Sequence, residues 1–109
     1  MKNAMGITLV LSLLTALGLS ASQAETLQER GKVIAHGLCE RCHAIGPTGD
    51  SPHSAAPRFR FLDNQIDLSK LAQRIREGLL AGHEDMPMFR FDRDDADAMV
   101  AYMRSIQRP

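Results

Sequence analysis

Apolar positions fall into one unbroken run and three periodic stretches. The unbroken run is "ITLVLSLLTALGL", residues 7–19; Lys2 precedes it and no further charge follows until Glu25. Each periodic stretch repeats at the three-to-four-residue interval of an amphipathic helix. The first, from about Glu25 to Cys42, places Leu27, Gly31, Ile34 and Leu38 on one face, with Glu29, Arg30, Lys32 and Glu40 elsewhere. The second, from about Asp67 to Leu80, sets Leu68, Leu71, Ala72, Ile75 and Leu79 in register, with Gly82 as the expected stop. The third starts near Asp92, a good N-cap residue, and carries Ala96, Met99, Val100, Met103 and Ile106. Asp94 and Asp95 at its start and Arg104 and Arg108 at its end suit the helix dipole. Between the first two lies "AIGPTGDSPHSAAPRFRFLDNQI", broken by Gly46, Pro47, Gly49, Pro52 and Pro57 and expected to be a long irregular loop. No stretch alternates with a period of two. The pattern predicts an all-α fold with long loops.

The unbroken run changes the reading of the N-terminus. A positive residue, an apolar stretch and then the small residues of "SASQA" form an export signal, with cleavage expected after Ala24. Residues 1–24 are therefore read as a signal peptide and 25–109 as one domain, destined for the periplasm. The alternative is a retained membrane anchor, since ~20 apolar residues can span a bilayer. Cleavage would remove Lys2 and leave 12 Lys and Arg against 13 Asp and Glu. A net charge of −1 with no basic run offers no footprint for nucleic acid. With four Phe, one Tyr and no Trp, the domain can bury only a modest core of its own. Domains near this size commonly need a staple, a metal or a cofactor.

The only two cysteines stand in "CERCH", residues 39–43. A disulfide closing so short a gap would remove little chain entropy. Structural zinc needs four ligands, and His36, His43, His53 and His83 form no second pair at finger-like spacing. A redox dithiol of the thioredoxin type would follow a strand and open a helix, whereas these cysteines close one. Attachment of a c-type haem remains. Residues three apart at a helix end face the same way, so both sulfurs can bond one porphyrin, and the next residue offers its imidazole to the iron.

With these residues in view, the chain resembles the small monohaem class I c-type cytochromes over nearly all of residues 25–109. Gly31, eight residues before Cys39, stands where that family has a helix glycine. The resemblance implies that the first and last helices cross there against Tyr102. "GHEDMPMFRF", residues 82–91, resembles the family's Met-Pro segment, which implies Met86 as the second axial ligand of one haem c held through Cys39 and Cys42. Met88 and His83 stand close enough to compete. "APRF", residues 56–59, resembles the family's loop in which a proline carbonyl receives the proximal histidine's other ring N–H, a role that falls to Pro57. Arg58 and Arg60 are candidates for the haem propionates or for a solvated loop. Two departures stand out. Ala35 occupies a frequently aromatic position, and Met99 and Met103 stand where leucines are common.

The resemblance implies a small cytochrome c fold: three main helices with long loops around one covalent haem. It also implies a monomeric periplasmic electron carrier, not an enzyme, exchanging single electrons with redox proteins through an exposed haem edge. Two alternatives keep the haem. One is a fixed electron-transfer subunit of a periplasmic dehydrogenase or oxidase; the other is a sensor in which Met86 is displaceable.

Overall fold

The structure is a computed structural model, which describes residues 24–78 and 85–109. The expected signal peptide except Ala24, and Leu79, Leu80, Gly82 and His83, lie outside the described residues. Among the described residues, three α-helices, α1 (Leu27–Leu38), α2 (Leu68–Glu77) and α3 (Arg93–Ser105), are joined by loops, with a 3-10 helix at Phe59–Asn64. No strand occurs among the described residues.

Each helix begins where a side chain accepts its free N–H groups. Thr26 and Glu29 form a reciprocal capping box at α1: the Glu29 amide donates to Thr26 Oγ1 at 3.2 Å, and the Thr26 amide to Glu29 Oε2 at 2.8 Å. Asp67 caps α2 by accepting from the Ser69 amide, and Asp92 caps α3 by accepting from the Asp95 amide, both at 2.8 Å.

The helix ends differ from expectation. α1 stops at Leu38 instead of Cys42, and the "CERCH" segment continues as turns, its His43 amide donating to the Cys39 carbonyl at 2.9 Å. α2 stops at Gly78, ahead of the expected Gly82, because Gly78 adopts φ +78 and turns its amide back to the Arg74 and Ile75 carbonyls. A left-handed residue at that position ends a helix, and glycine adopts it without steric penalty.

Helices α1 and α3 pack most extensively. At their crossing Gly31 is buried, and a Cβ there would overlap the Ala98 carbonyl and stand 2.7 Å from Tyr102 Cβ. Ala35 of α1 and Ala96 of α3 lie in the core with no exposed surface. Leu27, expected on the buried face, is 53% exposed. Beside the crossing, Arg30 Nε donates to Asp95 Oδ1 at 2.8 Å.

The long loop is more ordered than its composition suggests. Its Phe59–Asn64 end winds into the 3-10 helix, and the chain after α3 clamps it. Gln107 Nε2 donates to the Phe59 carbonyl at 2.6 Å, Gln107 Oε1 accepts from the Asp63 amide at 2.9 Å, and the Arg108 amide donates to the Arg60 carbonyl at 2.8 Å. Tyr102 reaches across from α3, donating its hydroxyl to the Ile45 carbonyl at 2.6 Å. The helix that crosses Gly31 therefore also holds the segment following His43.

Candidate functional site

A cleft of about 470 Å³ opens on the side of α3 that faces α2, within the size range of ligand pockets. Leu71 and Ile75 of α2, Met99 and Met103 of α3, and Phe59 and Leu62 of the 3-10 helix give it apolar walls. Cys39, Cys42 and His43 line it from the turn after α1, while Met86, Pro87, Phe89 and Phe91 line it from the segment preceding α3. That second segment is held where it meets α2, the Phe91 amide donating to the Ile75 carbonyl at 3.4 Å. Phe89 and Phe91 stack with ring centroids 6.0 Å apart.

His43 Nδ1 lies 2.7 Å from the Pro57 carbonyl oxygen. A carbonyl only accepts, so this contact puts the proton on Nδ1 and leaves the Nε2 lone pair free to bind a metal. The ring also packs against Phe59, with centroids 5.0 Å apart. Pro57 borders the cleft as well. Burial, with a smaller contribution from neighbouring Cys42, pushes the Cys39 thiol up to about 11; Cys42 is half-buried.

The two methionines of "MPM" separate. Met86 is half-buried and lines the cleft. Met88 does not line it and is 78% exposed, its Sδ packed over Gly78 at the end of α2. The arginines of the long loop do not line it either. Arg58 is exposed, 3.3 Å from Asp50, and Arg60 is buried with its guanidinium 4.9 Å from the Phe61 centroid and no partner for Nη1. The cleft arginine is Arg74 of α2, which periodicity placed only on a helix.

His53 and Asp85 also border the cleft, with His53 Nε2 3.2 Å from Asp85 Oδ2. His53 stands in the long proline-broken loop, where no local sequence pattern marks it. Among the described residues, no three His, Cys, Asp or Glu side chains gather as a bare metal ion would require.

The family model for cytochrome c matches residues 28–107. No curated protein and no solved structure matches the chain. The match spans most of the sequence, and the chain belongs to the cytochrome c family: it is a c-type cytochrome, a haem-based electron-transfer protein with the all-α small cytochrome c fold. The donor set fits the covalently bound haem that the family implies. Cys39, Cys42, Met86 and a His43 whose Nε2 is left free border one largely apolar cleft.

Proposed function

We propose that this protein is a class I, monohaem, periplasmic carrier of single electrons with no catalysis of its own. Cys39 and Cys42 would hold one haem c through thioethers, and His43 and Met86 would ligate its iron. The observation that carries this reading is the shared cleft: His43 and Met86 line it together with both cysteines, and Met88 does not.

When bound, the haem supplies a one-electron ferric–ferrous couple. The chain's own residues set the conditions for it. The Pro57 carbonyl orients His43 and fixes its tautomer. Met86 offers a soft, neutral thioether, which with histidine favours the ferrous state and raises the potential. Pro87 fixes φ beside it and stiffens the segment. Leu71, Ile75, Met99 and Met103 exclude water. The buried Cys39 thiol stays protonated and a weak nucleophile at neutral pH, which favours attachment before the fold closes.

With both His43 and Met86 committed to the iron, no position would remain there for a substrate, which supports carriage over catalysis. Exposed Met88, beside half-buried Phe89, suits a transient apolar contact with redox partners. The expected signal peptide over residues 1–24 supports periplasmic maturation, and no described helix is long and apolar enough to cross a membrane. Neither a basic patch for nucleic acid nor a self-association surface enters this reading, and we take the protein as a monomer.

The test is the optical spectrum of the ferric protein matured in a haem-attaching host. A low-spin spectrum with a weak sulfur-to-iron band in the far red is expected, lost in Met86→Ala and kept in Met88→Ala. The reverse pattern transfers the ligand role to Met88. Pigment released intact on denaturation would overturn covalent attachment.

A further inference from the structure

His53 stands at a junction that the electron-carrier reading does not use. Its amide donates to the Cys42 carbonyl at 3.1 Å, which ties it to the attachment turn. Its Nδ1 accepts the Ala55 amide at 3.2 Å. A nitrogen that accepts cannot carry the ring proton of a neutral imidazole, so that proton sits on Nε2. Nε2 then donates to Asp85 Oδ2 at 3.2 Å. Asp85 is the residue directly before Met86. A short path therefore runs from Cys42 through the His53 ring to the peptide that carries Met86. It joins the two segments that line the cleft, on its solvent side, where the His53 and Asp85 side chains are 39% and 79% exposed.

We propose that His53 and Asp85 form a clasp across the cleft mouth, making His53 a positioning residue that keeps the Met86 thioether from being displaced by an incoming ligand. The proposal rests on the His43 and Met86 ligation argued above. It follows from connectivity: among the described residues no other side-chain hydrogen bond joins residues 85–91 to the attachment side. The segment's other described ties run to α2: the hydrogen bond from the Phe91 amide and the packing of Met88 over Gly78. Without the clasp the chain at Asp85 and Met86 loses its described link to the attachment side and has fewer restraints against moving its methionine outward. With it, an outside ligand must break one more hydrogen bond to replace the sulfur.

The experiment uses the ferric holoprotein and imidazole as the displacing ligand. His53→Leu and Asp85→Ala should each bind imidazole about threefold more tightly than wild type, the scale of one exposed charged hydrogen bond. Combining them should add nothing, because both remove the same link. His53→Gln, which keeps an N–H donor, should restore most of the wild-type resistance. Exchange of the Phe91 amide, the segment's hydrogen-bonded N–H, should quicken in the Leu and Ala variants, a readout independent of the haem spectrum. Unchanged imidazole affinity in His53→Leu, simple additivity in the double variant, or no rescue by Gln would each overturn the clasp. A wild-type protein without the sulfur-to-iron band would sink the ligation itself and the clasp with it. The two failures thus leave different signatures.

Discussion

The two sides of α3 are built from different residues. Toward α1 it presents Ala98 and Tyr102 to Gly31, so closely that a Cβ on the glycine would overlap the Ala98 carbonyl. Toward α2 and the 3-10 helix it presents Met99 and Met103, which with Leu71, Ile75 and Phe59 border a cleft of about 470 Å³. Small side chains close an interface using only the chain's own atoms; long, adaptable ones line a space and conform to what occupies it. Half of this molecule is complete as polypeptide, and the other half is shaped around a cofactor.

The strongest way to break that comparison is to withhold the haem. Producing the Cys39→Ala, Cys42→Ala protein should leave a poorly folded chain. Hydrogen exchange should show protection lost across α2 and residues 85–91, with what protection survives confined to α1 and α3. A fully helical apoprotein with both sides equally protected would show that the cleft side needs no cofactor.

Next in size is Gly31→Ala. The added methyl meets the Ala98 carbonyl, a backbone group that cannot step aside, so a loss of about 3 kcal/mol in chemical denaturation is expected, at the upper end of overpacking effects. Tyr102→Phe removes only the bond to the Ile45 carbonyl, and a loss of about 1 kcal/mol is expected from thermal unfolding. Gly37, on the same helix as Gly31, has open space where a side chain would go; Gly37→Ala should stabilise by about 0.5–1 kcal/mol. Opposite signs for one substitution at two positions of α1 would locate the tight crossing at Gly31.

The smallest effect is acid sensitivity at the start of α1. Hydrogen bonds from the Thr26 amide and hydroxyl hold the Glu29 carboxyl below its usual range. A carboxylate whose folded pKa is depressed stabilises the fold above its unfolded pKa of ~4.3 and loses that contribution as pH falls through the folded value. Stability measured from about pH 5 downward should therefore fall slightly less steeply in Glu29→Gln than in wild type.

Much of this architecture was legible in the chain. The three helical periods, the Asp92 cap and the chemistry of "CERCH" are local features, and local features survive folding. The crossing at Gly31 was legible through the family resemblance, not from glycine alone, since Gly37 on the same helix meets nothing. The errors fell where distant segments meet. The long loop's 3-10 turn depends on Gln107 and Arg108, more than forty residues away in sequence. Arg60 was read as a loop or propionate candidate, yet it is buried against Phe61, and the cleft arginine is Arg74. Nothing in the spacing of α2 distinguishes Arg74 from Arg76. Gly82 is the stop the pattern predicts, yet the backbone takes φ +78 four residues earlier, at Gly78.

The sequence alone determined which atoms can bond a porphyrin, because two thiols and an imidazole within five residues can have few other joint uses. It also determined where the helices lie, because hydrophobic period and side-chain caps act within a turn or two. Only tertiary structure decided which methionine of "MPM" lines the cleft, which arginine borders it, and that His53 meets Asp85. Each of those outcomes depends on how separate segments pack in space, and the packing of one segment against another is not encoded in either segment by itself.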